Sequence, residues 1–144
     1  MSKPWIGIDL DGTLAHYDGW QGIKHIGDPI WSMVKTVKLL IDHGVEVRIF
    51  TARCQEPESI PYVEDWCVRY IGQKLPVTDK KDFDMVAMLD DRAYNPYCYE
   101  CFKRSDWIDM LVGKAKDHND PNNPDNPQNE IGKRENESAQ CEIW

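Results

Sequence analysis

The stretch Ile6-Gly7-Ile8-Asp9-Leu10-Asp11-Gly12-Thr13-Leu14 decides how the rest of the chain is read. An apolar run ends in two carboxylates two residues apart, followed by a Gly-Thr turn. Residues two apart on a strand point to the same side. With a strand ending at Asp9, both carboxylates can face one small volume beyond its carboxyl edge. Gly12 lets the chain turn there without a side-chain clash. Open α/β sheets bind their ligands beyond the carboxyl ends of their strands. The same residues would also make an ordinary solvated turn, since Asp and Gly are common turn residues. Later segments must therefore supply partners.

Outward from this stretch, Trp5 to Leu10 reads as a buried strand. Ala15 to Pro29 reads as a loop or small flap packed by Tyr17 and Trp20, with His16 and His25 within reach of a ligand. Asp28-Pro29 is expected to open a helix, Asp28 as cap and Pro29 in the first turn. Ile30, Met33, Val34, Val37, Leu40 and Ile41 recur at helical spacing, and Gly44 stands where helices end. Val45 to Phe50, rich in β-branched and aromatic residues, is the second strand. Strand, helix and strand form a βαβ unit, so the two strands are expected to be parallel. Pro61 to Lys74 reads as a second amphipathic helix, with Val63, Cys67, Tyr70 and Ile71 on one face. Leu75 to Thr78 reads as a short edge strand, since Pro76 suits an edge. Met85 to Asp90 reads as another buried strand ending in an acid, with Asp91 next. A last helix is expected within Cys101 to Gly113.

The chain has 144 residues, which fits one domain. It contains no apolar run of the roughly 18 residues a membrane span needs. Met1 to Pro4 leads straight into the first strand, so a cytoplasmic location is expected. Net charge is −8. From Ala115 onward there are seven acidic and three basic residues, net −4, and the rest carries the other half. This balance leaves a nucleic-acid partner open but does not favour it. Five cysteines without framework spacing suit reduced thiols. Cys98 and Cys101 form a single CxxC, and nothing points to two further zinc ligands. Asn119 to Asn129 is almost entirely Asn, Asp, Pro and Gln, a composition with too little apolar surface to offset ordering entropy. Residues 1–115 are read as the folded domain and 116–144 as a flexible acidic tail.

Three strands thus end in polar residues: Asp9 with Asp11, Thr51, and Asp90 with Asp91. A lysine pair, Lys80 and Lys81, precedes the third. Parallel strands put all of these on one sheet edge. Carboxylates from two strands can share a hard cation such as Mg2+. A hydroxyl, the amides after it and a lysine can hold a phosphate. Uncompensated, the carboxylates would repel one another.

In these four segments the chain resembles the haloacid dehalogenase (HAD) superfamily of phosphotransferases. Asp9-Leu10-Asp11-Gly12-Thr13 resembles its first motif and Thr51 its second. Lys81, counted from Thr78, resembles the third, and Leu89-Asp90-Asp91-Arg92 the fourth. The resemblance spans roughly residues 4–114 and extends to small capless HAD proteins of bacteria and phages. It implies a Rossmann-like three-layer α/β sandwich around a central parallel sheet. It also implies a phosphomonoester hydrolase in which Asp9 is the nucleophile and Asp11 the acid and base. Mg2+ would be held by Asp9, Asp90 and the Asp11 backbone carbonyl. Thr51, the Ala52 amide and Lys81 would hold the phosphate. Asp91 would support the site by orienting water or a neighbour, and Arg53 by binding substrate or pairing with an acid.

Only about 15 residues separate Leu14 from the first helix, and about 28 separate Thr51 from the lysines. That leaves no room for a cap domain. An open site suits phosphate on a large or protruding substrate, such as a macromolecular end. Oligomerisation could close the site around a small phosphomonoester. Another function class the residues allow is a non-catalytic module that binds Mg2+ or phosphate and regulates a partner.

Overall fold

The computed structural model describes residues 3–95, 107–118 and 122. The elements are β1 (Trp5–Asp9), α1 (Trp31–Asp42), β2 (Glu46–Phe50), α2 (Ile60–Tyr70), β3 (Val77–Thr78), β4 (Met85–Leu89) and α3 (Trp107–Asp117). The four strands form one all-parallel sheet in the order β3-β2-β1-β4. The α/β class with a central parallel sheet flanked by helices is as expected. The connection after β1 holds a loop and α1, and the one after β2 holds two 3-10 turns (Ala52–Gln55 and Pro57–Ser59) and α2. Among the described residues no helix is long and apolar enough to cross a membrane. The Cys98–Cys101 pair and, apart from Asn122, the tail beyond residue 118 lie outside the described residues.

The chain divides into two compact units. One comprises Met1–Tyr17 with Gly22–Asp91 and holds the sheet, α1 and α2. The other joins Asp18–Gln21 to the segment from Arg92 onward, and its described helix is α3. In α3, Asp109 lies in the first turn and Lys114 and Lys116 in the last, the distribution that a helix dipole favours.

Strand alternation divides the sheet's two faces. Ile8, Val47 and Ile49 are buried in one core with Val34 and Val37 of α1 and Val63, Trp66 and Cys67 of α2. Each such aliphatic side chain contributes roughly 1.5–3 kcal/mol on burial. Both helices therefore serve the same core, as successive right-handed crossovers in one direction require.

The opposite face is crossed by a strap, Asp79–Asp84, that joins β3 to β4 without a helix. From Thr78 to Met85 there are seven links, with a reach of about 23–25 Å. The straight diagonal across three strand spacings and four residues of strand length is already about 20 Å. Asp82 of the strap accepts a hydrogen bond from Trp5 Nε1 at 2.8 Å. Arg48 stacks over the Trp5 ring, 4.4 Å from its centroid, and lies 3.6 Å from Asp82 Oδ2. Trp5 is fully buried under this cover. The Trp5 indole first, then the backbone amides of Asp84 and Met85 and the Arg48 charge, hold the Asp82 carboxyl below its ordinary range.

Two local expectations are corrected. Asp28-Pro29 does not open α1. Pro29 bridges Ala15, the Asp28 carbonyl accepts from His16 N at 2.8 Å, and Ile30 occupies the cap position. Pairing to the turn after β1 thus outcompetes capping. Nor is β4 a buried strand: it ends the sheet order and pairs on one side with β1. Val86, the extra residue where the register shifts, is 65% exposed.

Candidate functional site

The turn after β1 builds the site. The Leu10 carbonyl receives the amides of Thr13, Leu14 and Ala15, at 3.3, 3.0 and 2.9 Å, which folds the chain sharply. Gly12 sits at φ +91°, and a Cβ there would lie 2.6 Å from Asp91 Oδ2. A side chain is therefore excluded both by backbone conformation and by the close approach of the carboxylate from the end of β4.

That approach brings Asp9, Asp90 and Asp91 together. One carboxylate oxygen from each lies within 4.8 Å of the others, at the carboxyl ends of neighbouring strands. Thr13 ties the two ends. Its hydroxyl accepts from Asp91 N at 2.9 Å and lies 3.2 Å from Asp9 Oδ2 and 3.3 Å from Asp91 Oδ1, so its single proton serves one carboxylate at a time. Burial, above all, pushes the Asp9 carboxyl up to about 9. Repulsion from Asp90, a hydrogen bond shared with Asp91, and the charges of Asp91 and Asp11 add to it. Such a cluster of hard oxygen donors carries surplus negative charge, the donor set that suits a divalent cation like Mg2+.

Asp11 stands outside that group of three. Its carboxylate is clasped by Arg53, with Nε 2.7 Å from Oδ2 and Nη2 2.8 Å from Oδ1. Arg53 is 6% exposed. It also donates to the carbonyls of His25, at 2.9 Å, and Ile23, at 3.4 Å, and so joins Asp11 to the loop after β1. Of the two partners foreseen for Arg53, the structure supplies an acid.

Thr51 is buried at the end of β2, paired to β3 through Thr51 N and the Thr78 carbonyl. Its hydroxyl caps the following 3-10 turn by accepting from Arg53 N at 3.1 Å. Accepting leaves the hydroxyl proton to donate elsewhere. Ala52 is exposed at the start of that turn. Lys80 and Lys81 are both exposed on the strap, and neither is among the ion pairs of the described residues. The structure thus gathers the carboxylates of Asp9, Asp90 and Asp91 in one cluster and holds Asp11 on Arg53. Lys81 is not brought onto the carboxylates.

Thr13 was not singled out from the sequence, although it stands within the Asp-Gly-Thr turn. Its position, four residues after Asp9, is the signal that could have found it. Gly27 belongs to the loop expected between Ala15 and Pro29. A Cβ there would fall 1.9 Å from the His16 carbonyl oxygen, and its own carbonyl accepts from Trp66 Nε1 at 3.0 Å. This glycine fastens the loop that Arg53 grips.

No family model and no curated protein matches the chain. A solved structure of a conserved protein from Bacteroides thetaiotaomicron is similar, at 24% identity and a TM-score of 0.49. The similarity covers 71% of this chain and 91% of that one.

Proposed function

We propose that the protein is a Mg2+-dependent phosphomonoester hydrolase of the HAD type, working through an aspartyl-phosphate on Asp9. The observation that carries this reading is the contrast between the two carboxylates that follow β1. Asp9 lies among acids and Asp11 is held by a guanidinium. Two like groups kept in unlike surroundings suit two unlike tasks.

Asp9, Asp90 and Asp91 would hold the cation, which when bound would offset the charges around Asp9, so that Asp9 is ionised as the nucleophile, and would lessen repulsion of an incoming phosphate. An Asp9 oxygen attacks phosphorus and the bond to the leaving oxygen breaks. The freed electron pair takes a proton from Asp11. Water then gives a proton to Asp11 and attacks the same phosphorus, and the bond to Asp9 breaks with its electrons returning to the carboxylate. The Thr51 hydroxyl and the Ala52 amide stand at the neighbouring strand end to bind the phosphoryl oxygens. Lys81, on the strap, would close on them once substrate is present. The substrate is a phosphorylated molecule, large or protruding, since the connections after β1 and β2 hold no cap domain.

The test is turnover of a broad phosphate panel by purified protein with Mg2+, alongside Asp9→Asn. Metal-dependent release of phosphate, lost in the variant, is expected. Equal release by both proteins would refute the reading. The alternative, a non-catalytic Mg2+ or phosphate-binding module, is favoured by one observation: both oxygens of Asp11 are already engaged by Arg53. Beryllofluoride trapped at Asp9 without any turnover would decide for it.

A further inference from the structure

Resting on the hydrolase reading, we infer that Arg53 is the positioning residue for Asp11, holding it beside the reacting phosphate and out of the Asp9, Asp90 and Asp91 cluster. Asp11 lies only two residues beyond Asp9, yet its carboxylate is not part of the group that could share a cation. The interaction that separates them is the two-pronged contact with Arg53, at 2.7 and 2.8 Å.

Arg53 is itself fixed from both sides. Its side chain donates to the carbonyls of Ile23 and His25. Its backbone N–H donates to Thr51 Oγ1, and its carbonyl accepts from the fully buried Ser59 hydroxyl at 2.7 Å. Buried cations persist where acceptors surround them. A planar fork also fixes direction in a way that an ammonium cannot. One residue therefore sets the aim of Asp11 through its side chain and the orientation of the Thr51 hydroxyl through its backbone. When one oxygen of Asp11 carries the proton for the leaving group, the fork still holds the other.

This role predicts a signature in the leaving group. kcat/KM reports steps up to phosphoryl transfer to Asp9. A p-nitrophenolate departs with little help, whereas an alkoxide needs the proton. General acid catalysis is worth roughly 10²–10⁴-fold, and misplacing a catalytic group by an ångström costs about 10²-fold. Arg53→Lys and Arg53→Gln are therefore expected to lower kcat/KM about 100-fold on an alkyl phosphate and less than about 10-fold on p-nitrophenyl phosphate. In an Asp11→Asn background the same changes should add little. Thermal melts verify folding. If Arg53→Gln does not fold, Arg53→Lys carries the test, and Ser59→Ala, which loosens Arg53 from its carbonyl side, gives a smaller asymmetry of the same sign. Equal losses on the two esters, or a gain, would overturn the positioning role alone. A wild-type protein inactive on both esters would overturn the hydrolase reading and this inference with it.

Discussion

Replacing Gly12 by Ala separates two costs that usually arrive together. Gly12 has φ +91° and Gly72, just past the end of α2, has φ +98°. An L-residue held at such angles costs about 1–2 kcal/mol, so Gly72→Ala measures the backbone part alone, because nothing lies within 4 Å of its added Cβ. At Gly12 the Cβ meets Asp91 Oδ2 at 2.6 Å and Cγ at 3.0 Å, and ordinary contact begins at 3.4 Å. Asp91 must retreat by about 0.8 Å, and its hydrogen bonds with Thr13 weaken, at about 1 kcal/mol each. Gly12→Ala should thus cost about 2–4 kcal/mol against about 1–2 for Gly72→Ala in urea unfolding. The gap should also depend on Mg2+. Without it, the retreat of Asp91 relieves repulsion with Asp9, which offsets part of the cost. At a concentration 100-fold above Kd a bound ion adds about 2.7 kcal/mol of stability, and tenfold weaker binding removes about 1.4 of that. The difference between the two variants should therefore widen by about 1.4 kcal/mol when Mg2+ is added. Equal destabilisation of the two variants, or a gap indifferent to Mg2+, would refute this account of the Gly12–Asp91 contact and of the cation site.

Asp9→Asn should stabilise the metal-free protein most at alkaline pH. A carboxyl whose folded pKa is raised contributes stability below its unfolded value, near 4, and loses it as pH approaches about 9, so the variant and wild-type curves should diverge across that window in thermal melts. Thr13→Val strands the Asp91 amide and should cost about 1–3 kcal/mol in urea, whereas Thr13→Ser should retain most of that stability. Asp82→Asn tests the opposite sign. Its depressed pKa gives stability that is present above the unfolded value and lost as pH falls through the folded one, so the variant should flatten the acid limb of the stability curve.

The parallel sheet was legible because β1, α1 and β2 have clear periodicities and βαβ geometry leaves little choice of direction. The start of α1 was not, since Asp28-Pro29 has every local attribute of a helix opening. Only the distant pairing of Pro29 with Ala15 and of Asp28 with His16 overrides it. The burial of β4 was misjudged because an apolar run states composition and not place in a sheet. At the site, the convergence of Asp9 with Asp90 and Asp91 followed from strand ends. The bidentate contact between Asp11 and Arg53 joins residues 42 positions apart, and their spacing could suggest an acid partner without saying which. Thr13 escaped notice because its hydroxyl acts across 78 positions, on Asp91.

The strap also acts as a ruler. With a diagonal of about 20 Å to cover and about 23–25 Å of chain to cover it, Asp79–Asp84 has about one residue of slack. Its length meters how far β4 advances along β1. Removing two residues leaves a reach of about 17–18 Å, which meets the diagonal only if β4 advances by about one position, and a shift of one turns every side chain of a strand to the other face. Asp90 and Asp91 would then present the wrong oxygens to Asp9, though neither had been altered. Chain length in the link between two strands thus fixes the charge arrangement at the carboxyl edge of the sheet.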